Sequence, residues 1–393
     1  MPQSQSQSTF DELTAQMSSG GVEAVLDTLI ARLRAEKKYH ELFEALLMRT
    51  RYKLGLGVLL ATPLDDLPEP VRTQVEEAYL DGCREVGRLL LDAGELRAAW
   101  MYLRPVGDKT LISAALNRAK HDGEQVQEVI EIALHEGVDP ALGYRLVLEN
   151  YGTCNAITTF EGAMAGRSRA DRQAAAALLL EHVHNELLES VKADVARREG
   201  SKPEGATIEA IIGPRPALFD EANYHLDTTH LAATVRLARI LEDPRHLALA
   251  LDITRYGKHL AEQFQFAGEE PFIELYPAHE WFYQAMLGES VDEALEYFRR
   301  RASEVDPQEH GTLPVETLVV LLAHSGRMPE AIDAAATLLP PGMRTTGFAP
   351  SLLELSRQAG DFERALAVCQ DRGDLIGFAA SLIESRETAP QTA

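Results

Sequence analysis

The chain has 393 residues, 45% of them hydrophobic and 6% aromatic, and sets 61 acidic side chains against 38 basic ones for a net charge of −23. That much apolar material builds a large core and excludes disorder of the whole chain, while so acidic a surface repels a phosphate backbone and removes nucleic acid from the expected partners. Ala and Leu dominate the apolar set, helix formers fill the windows between short Gly and Pro breaks, and no run reads as a strand, so the expected class is all-α.

Residues 1–9 begin with alternating Gln and Ser over Pro2 to Ser8, which predicts a flexible tail. They lack the charged and apolar regions of a secretory leader. Apolar runs such as Ala174 to Leu180 fall well short of the ~18 residues a membrane span needs, so no membrane partner and a soluble, cytoplasmic protein are expected.

Residues 10–137 read as helices of hairpin length, broken at Gly20-Gly21, Gly55 to Pro70, Gly94, Pro105 to Asp108 and Asp122-Gly123. Within them Lys38 to Leu54 places Leu42, Phe43, Leu46 and Leu47 on one face and Arg49, Arg51 and Lys53 toward the C-terminal end, where cations suit the helix dipole. Residues 138–286 are less regular. They hold a Tyr151-Gly152-Thr153-Cys154-Asn155 turn, a polar Gly200 to Gly205 loop, a Gly213-Pro214-Arg215-Pro216 breaker and seven of the twelve histidines. Hairpins return over 287–385, and 386–393 reads as a second tail.

Two stretches near the C-terminus repeat one frame at a 34-residue interval. Leu318-Val319-x-Leu321, Gly326, Met328, Ala331-Ile332 and Ala335 match Leu352-Leu353-x-Leu355, Gly360, Phe362, Ala365-Leu366 and Cys369. The frame fits again at Gly87, Leu89, Gly94, Leu96, Ala99, Trp100 and Leu103, and over Leu287-Gly288 to Ala294-Leu295. A helix ended by Gly and followed by a second helix with Ala at the crossing cannot bury its apolar face alone, so it stacks on neighbours. This frame resembles the tetratricopeptide repeat. Only the Gly94 copy keeps a small residue in the first helix, where Val319 and Leu353 stand in the later copies, and Leu111, Met343 and Gly377 occupy the family's closing Pro position. The resemblance implies an α-solenoid of stacked hairpins whose concave face binds a protein or peptide partner, a basic one given the acidity of the chain.

Cys83, Cys154 and Cys369 are odd in number and far apart, which argues against a disulfide framework or a thiolate zinc site and predicts buried packing residues.

The middle region carries the candidate chemistry. On the helix Leu178 to Val195, Leu180, Val183, Leu187, Leu188, Val191 and Val195 share one face, with His184 near its centre and Glu181 on the flank three residues away. This predicts a buried His184, either hydrogen-bonded in the core or part of an acid-x-x-His metal pair. A second acid-x-x-His stands at Asp227 and His230, with His225 just before. Asp227 also reads as the N-cap of a helix from Thr228 to Leu241, which leaves His225 in the loop and His230 in the first turn. His279-Glu280 precede the aromatic Trp281-Phe282-Tyr283. Together Glu181, His184, His225, Asp227, His230 and His279, with Glu280 as a further member, form a candidate site for a divalent ion such as zinc, manganese or iron. Two readings follow: a tetratricopeptide-like scaffold that binds a protein segment, or a metal-dependent enzyme, hydrolase or oxidoreductase, built on the middle helices.

Overall fold

The computed structural model describes residues 2–59, 63–340 and 342–387. All regular elements among them are helical, and the sole bridge between extended residues is an isolated antiparallel one, Ala267 to Glu274. No helix among the described residues is long and apolar enough to cross a membrane. The chain forms two compact units, Met1–Asn150 and Tyr151–Ala393. They divide beside Gly152, whose non-helical backbone (φ 78°, ψ 178°) breaks a helix where the sequence predicts a turn.

The first unit contains α1 (Pro2–Ala35), α2 (Tyr39–Lys53), α3 (Glu69–Asp92), α4 (Leu96–Leu103), α5 (Thr110–Arg118), α6 (Gly123–Ile130) and the start of α7 (Pro140–Glu161). The helix α1 already begins at Pro2, where a flexible tail is expected from the composition. Proline suits a first helical position, and Ser and Gln each cost only a few tenths of a kcal/mol there. At the other end, helix continues through Glu387, while 388–393 lie outside the described residues. On α2, Leu42, Phe43, Leu46 and Leu47 are buried as their spacing predicts. Neighbours in sequence pack on one another, α1 on α2, α2 on α3 and α3 on α4.

The second unit contains α8 (Arg169–Glu199), α9 (Ile208–Ile212), α10 (Thr228–Leu237), α11 (Pro244–Lys258), α12 (Leu275–Met286), α13 (Val291–Glu304), α14 (Pro307–His310), α15 (Leu313–His324), α16 (Met328–Leu338), α17 (Leu352–Ala359), α18 (Glu363–Arg372) and α19 (Leu375–Glu387). Here α8 packs on α10 and α11, α11 on α12, α15 on α16, and α18 on α19.

Four turns share one geometry. Gly94, Gly288, Gly326 and Gly360 all have positive φ, between 68° and 81°. Each donates its N–H to the carbonyl three residues back while the next residue donates five residues back: Gly94 to Leu91 with Glu95 to Leu90, and Gly326 to Ala323 with Arg327 to Leu322. These are the paired bonds that close a helix on a left-handed residue, and a Cβ there is strained. The alanines that follow, Ala99, Ala294, Ala331 and Ala365, are all buried. The repeated frame thus marks real helix ends and buried alanines.

Between α16 and α17 the connection is held by one carboxylate. Glu316 of α15 is fully buried and accepts hydrogen bonds from the hydroxyls of Thr312 (2.6 Å) and Thr346 (2.9 Å) and from the backbone N–H groups of Thr346, Phe348 and Ala349. Five donors make this buried charge affordable in free-energy terms, since an unpaired one is strongly destabilising. Of the cysteines, Cys83 and Cys369 are buried, but Cys154 is exposed, on the outward side of α7 just beyond the break at Gly152.

Candidate functional site

The histidines of the second unit are engaged one by one. Glu181 and His184 do not pair: Glu181 turns to Arg245 (3.1 Å) and His246 (3.2 Å), while His184, buried, places Nε2 2.8 Å from Asp252 Oδ2. The flank and the centre of an apolar helix face point to different neighbours, and here the neighbours are two positions of α11. Asp252 also accepts the N–H groups of Ile208 (2.8 Å) and Glu209 (3.0 Å), so one carboxylate ties α8 and α11 to the start of α9.

His225 sits between two partners. Tyr256 Oη accepts the His225 backbone N–H (2.9 Å) and lies 2.9 Å from Nδ1, and Nε2 lies 3.1 Å from Asp194 Oδ2. With its lone pair taken by the backbone, the tyrosine hydroxyl donates to Nδ1, which leaves the Nε2 proton for Asp194. Burial holds His225 below the usual histidine range against the pull of Asp194. Burial also works against ionised Asp194, but bonds from Arg198, Arg197 and His225 outweigh it and keep its carboxyl below the usual range.

Asp227 is the N-cap of α10, accepting from Thr229 N (2.9 Å) and His230 N (3.2 Å), and His230 stands half-buried in the first turn. His279 is buried on α12 with Nδ1 2.6 Å from Leu275 O and its ring stacked on Phe272 at 4.2 Å. Burial, reinforced by Arg239 and Arg236, holds it well below the ordinary pKa, so it is a neutral packing residue. Glu280 pairs with Arg255 (3.1 Å) and Lys258. The structure brings Glu181, His184, His225, Asp227, His230 and His279 into no common shell. Among the described residues no group of three or more His, Cys, Asp or Glu side chains is placed to hold a metal ion.

A different arrangement stands in the first unit. Beyond Ile130, α6 widens into a π-helical turn over Glu131–His135, with Glu136 N–H bonded to Glu131 O at 3.0 Å. Such turns are rare and concentrate at functional positions. This one abuts α7 at Gly143, where a Cβ would lie 2.6 Å from Leu134 Cβ and 2.7 Å from Leu134 N, so only glycine permits the approach.

The π turn, α6 and α4 line a cleft of about 730 Å³. Its apolar residues are Ala98, Trp100, Met101 and Ile132, and its charged ones are Glu95, Glu128, Glu131 and Glu136 with Arg97 and Arg104. Glu128 accepts the backbone N–H of Arg97 (3.0 Å) and lies 3.9 Å from its guanidinium, and Arg104 reaches Glu136 (3.3 Å), whereas Glu95 and Glu131 have no ion pair among the described residues. Met101 is 57% exposed, an unusual state for a large thioether in a concave surface, and Trp100 beside it is buried with its indole N–H lacking an acceptor. An orphaned N–H of this kind costs about 1–3 kcal/mol.

Compared with family models, curated proteins and solved structures, the chain matches none. The groove rests on its own geometry. Sequence reading reached Trp100 only as a packing residue of the repeat frame and passed over Met101 and the acids. The usable signal was Glu128 on α6 and Glu131 three residues on, at the start of the π turn, outside the buried Val126, Val129 and Ile130.

Proposed function

We propose that the chain is a tetratricopeptide-like helical scaffold and that the cleft between α4 and the π turn binds a basic, amphipathic peptide segment. The carrying observation is the exposed Met101 beside buried Trp100 within a rim of four carboxylates and two guanidiniums, of which Arg104 lies 3.3 Å from Glu136 and Arg97 3.9 Å from Glu128. An apolar floor with a charged rim is the anatomy of a peptide groove: flexible Met and rigid Trp supply contact area, and rim charge selects and steers the partner. Unpaired Glu95 and Glu131 select Lys or Arg on the segment. The shared glycine turns and buried alanines of the four hairpins support the stacked-repeat architecture in which such grooves arise. The mechanism is binding, without chemistry.

The chain has two tryptophans, so Trp281→Phe leaves Trp100 as sole reporter. Titrating this variant with an amphipathic Leu/Lys peptide and with its Leu/Glu counterpart should give a saturable, salt-sensitive change in Trp100 emission for the basic peptide alone. Equal response to both, or to neither, overturns the reading.

A further inference from the structure

Just past α10, a cavity of about 110 Å³ adjoins the connection from α11 to α12, with Arg236, Arg239, Glu269, Phe272 and His279 in its lining. It is far smaller than the ~300–1,000 Å³ of sites for drug-sized ligands and suits a small ion. In a chain of net charge −23 it brings two arginines to a histidine that is only 1% exposed. Burial, then the charges of Arg239 and Arg236, keep that ring neutral. Phe272 positions the components, with its ring stacked on His279 at 4.2 Å and the guanidinium carbon of Arg239 4.8 Å from its centre.

Two polar atoms here have unmet demand. His279 Nδ1 lies 2.6 Å from Leu275 O, and a carbonyl only accepts, so Nδ1 carries the proton and Nε2 keeps a lone pair. His279 Nε2 and Arg239 Nη1 are both buried without a hydrogen-bond partner among the described residues. The rest of Arg239 is in use, Nε on Arg236 O (2.9 Å) and Nη2 on Glu269 (3.0 Å), and Arg236 gives Nη2 to half-exposed Glu161 (2.5 Å). The unmet pair is therefore one neutral acceptor and one charged donor. A fully deprotonated anion answers the guanidinium but sets its own lone pairs against that of Nε2. An oxyanion that retains a proton answers both, donating its O–H to Nε2 while its charged oxygens accept from the guanidinium.

We infer that this cavity binds a small oxyanion that retains a proton, hydrogen phosphate, with Arg239 and Arg236 holding its two charges and His279 Nε2 accepting its O–H. Glu269 is the competitor. Its side chain is 59% exposed and pairs with Arg239 in the cavity lining, so an entering anion displaces a carboxylate that passes into water at little cost and takes over the guanidinium. The site is separate from the peptide groove of the first unit.

Calorimetric titration of the full chain with phosphate and with sulfate at mildly alkaline pH is the test. The two anions then share charge and tetrahedral shape and differ by one proton, and a site built to accept that proton rejects the analogue lacking it. Phosphate should bind saturably, and sulfate at least about tenfold more weakly. In His279→Leu the preference should vanish, with phosphate falling to the level of sulfate. In Glu269→Gln both anions should bind at least about threefold more tightly, a gain that a misfolded protein does not give. No phosphate binding by the wild type, or equal binding of the two anions, overturns the inference, and neither result depends on a variant folding. So does a preference that survives in His279→Leu, or a Glu269→Gln variant with unchanged affinity for both.

Discussion

The groove of the first unit and the histidine cluster of the second invert one another. Around α8, α10 and α11, polar residues that look like a site are buried and satisfied by the fold: Asp252 by His184 and two backbone N–H groups, His225 by Tyr256 and Asp194. Along α4 and the π turn, residues that look like ordinary helix are left with an exposed thioether and unpaired carboxylates. Buried polar groups with complete hydrogen bonding specify the core, whereas unmet demand at a concave surface is what a partner can answer. The contrast makes opposite forecasts for substitutions in the two places.

The largest effect belongs to the cluster. Replacing Asp252 by Ala leaves His184 and the first N–H groups of α9 without an acceptor and should destabilise by about 3–5 kcal/mol in urea unfolding, with peptide binding in the groove retained under native conditions. A loss below about 1 kcal/mol would separate this carboxylate from the core. Next is Gly143→Ala, where a methyl group meets the Leu134 backbone. The expected cost is about 1–3 kcal/mol, together with weaker binding because the π turn must shift. Stability lost with full binding retained would show that the turn does not shape the groove.

The pH dependence comes third. His225 and His279 are both held below the ordinary 6.5, so on acidification the unfolded chain takes up protons first. Stability should be complete above that pH and fall as pH drops toward the folded values, by about 1.4 kcal/mol per pH unit for each group. In His279→Leu the slope should shrink by one group's share, and an unchanged slope removes His279 from the account. Smallest in stability is Met101→Ala, expected within ~0.5 kcal/mol of wild type as for other exposed sites, yet about tenfold weaker for the basic peptide. Undiminished affinity would detach Met101 from the binding surface.

What could be read in advance follows from how local each constraint is. Gly326 and Gly360 are visible because a left-handed helix end favours glycine, and the burial of Ala331 and Ala365 because both stand at one place of a repeated apolar frame. Burial of His184 follows from its place on an apolar face, and the capping role of Asp227 from its position before Thr228. The partners do not follow. His184 meets Asp252 across 68 residues, and His225 meets Asp194 across 31, separations that no helical periodicity encodes. Buried Asp194 and Asp252 read as solvent-facing until the helices are assembled. The π turn depends on a contact with Gly143 from another helix, and the exposure of Cys154 on a backbone break, so neither had a local signature.

The clasp of Glu316 bears on how the second unit is opened by solvent and proteases. Long connections between helices are ordinarily the first segments to exchange amide hydrogens and to be nicked. The segment joining α16 to α17 has instead committed the amides of Thr346, Phe348 and Ala349 to a fully buried acceptor. Those three hydrogens can leave only when the carboxylate is released, so their deuterium uptake should track the opening of α15 rather than the fluctuations of the loop that contains them.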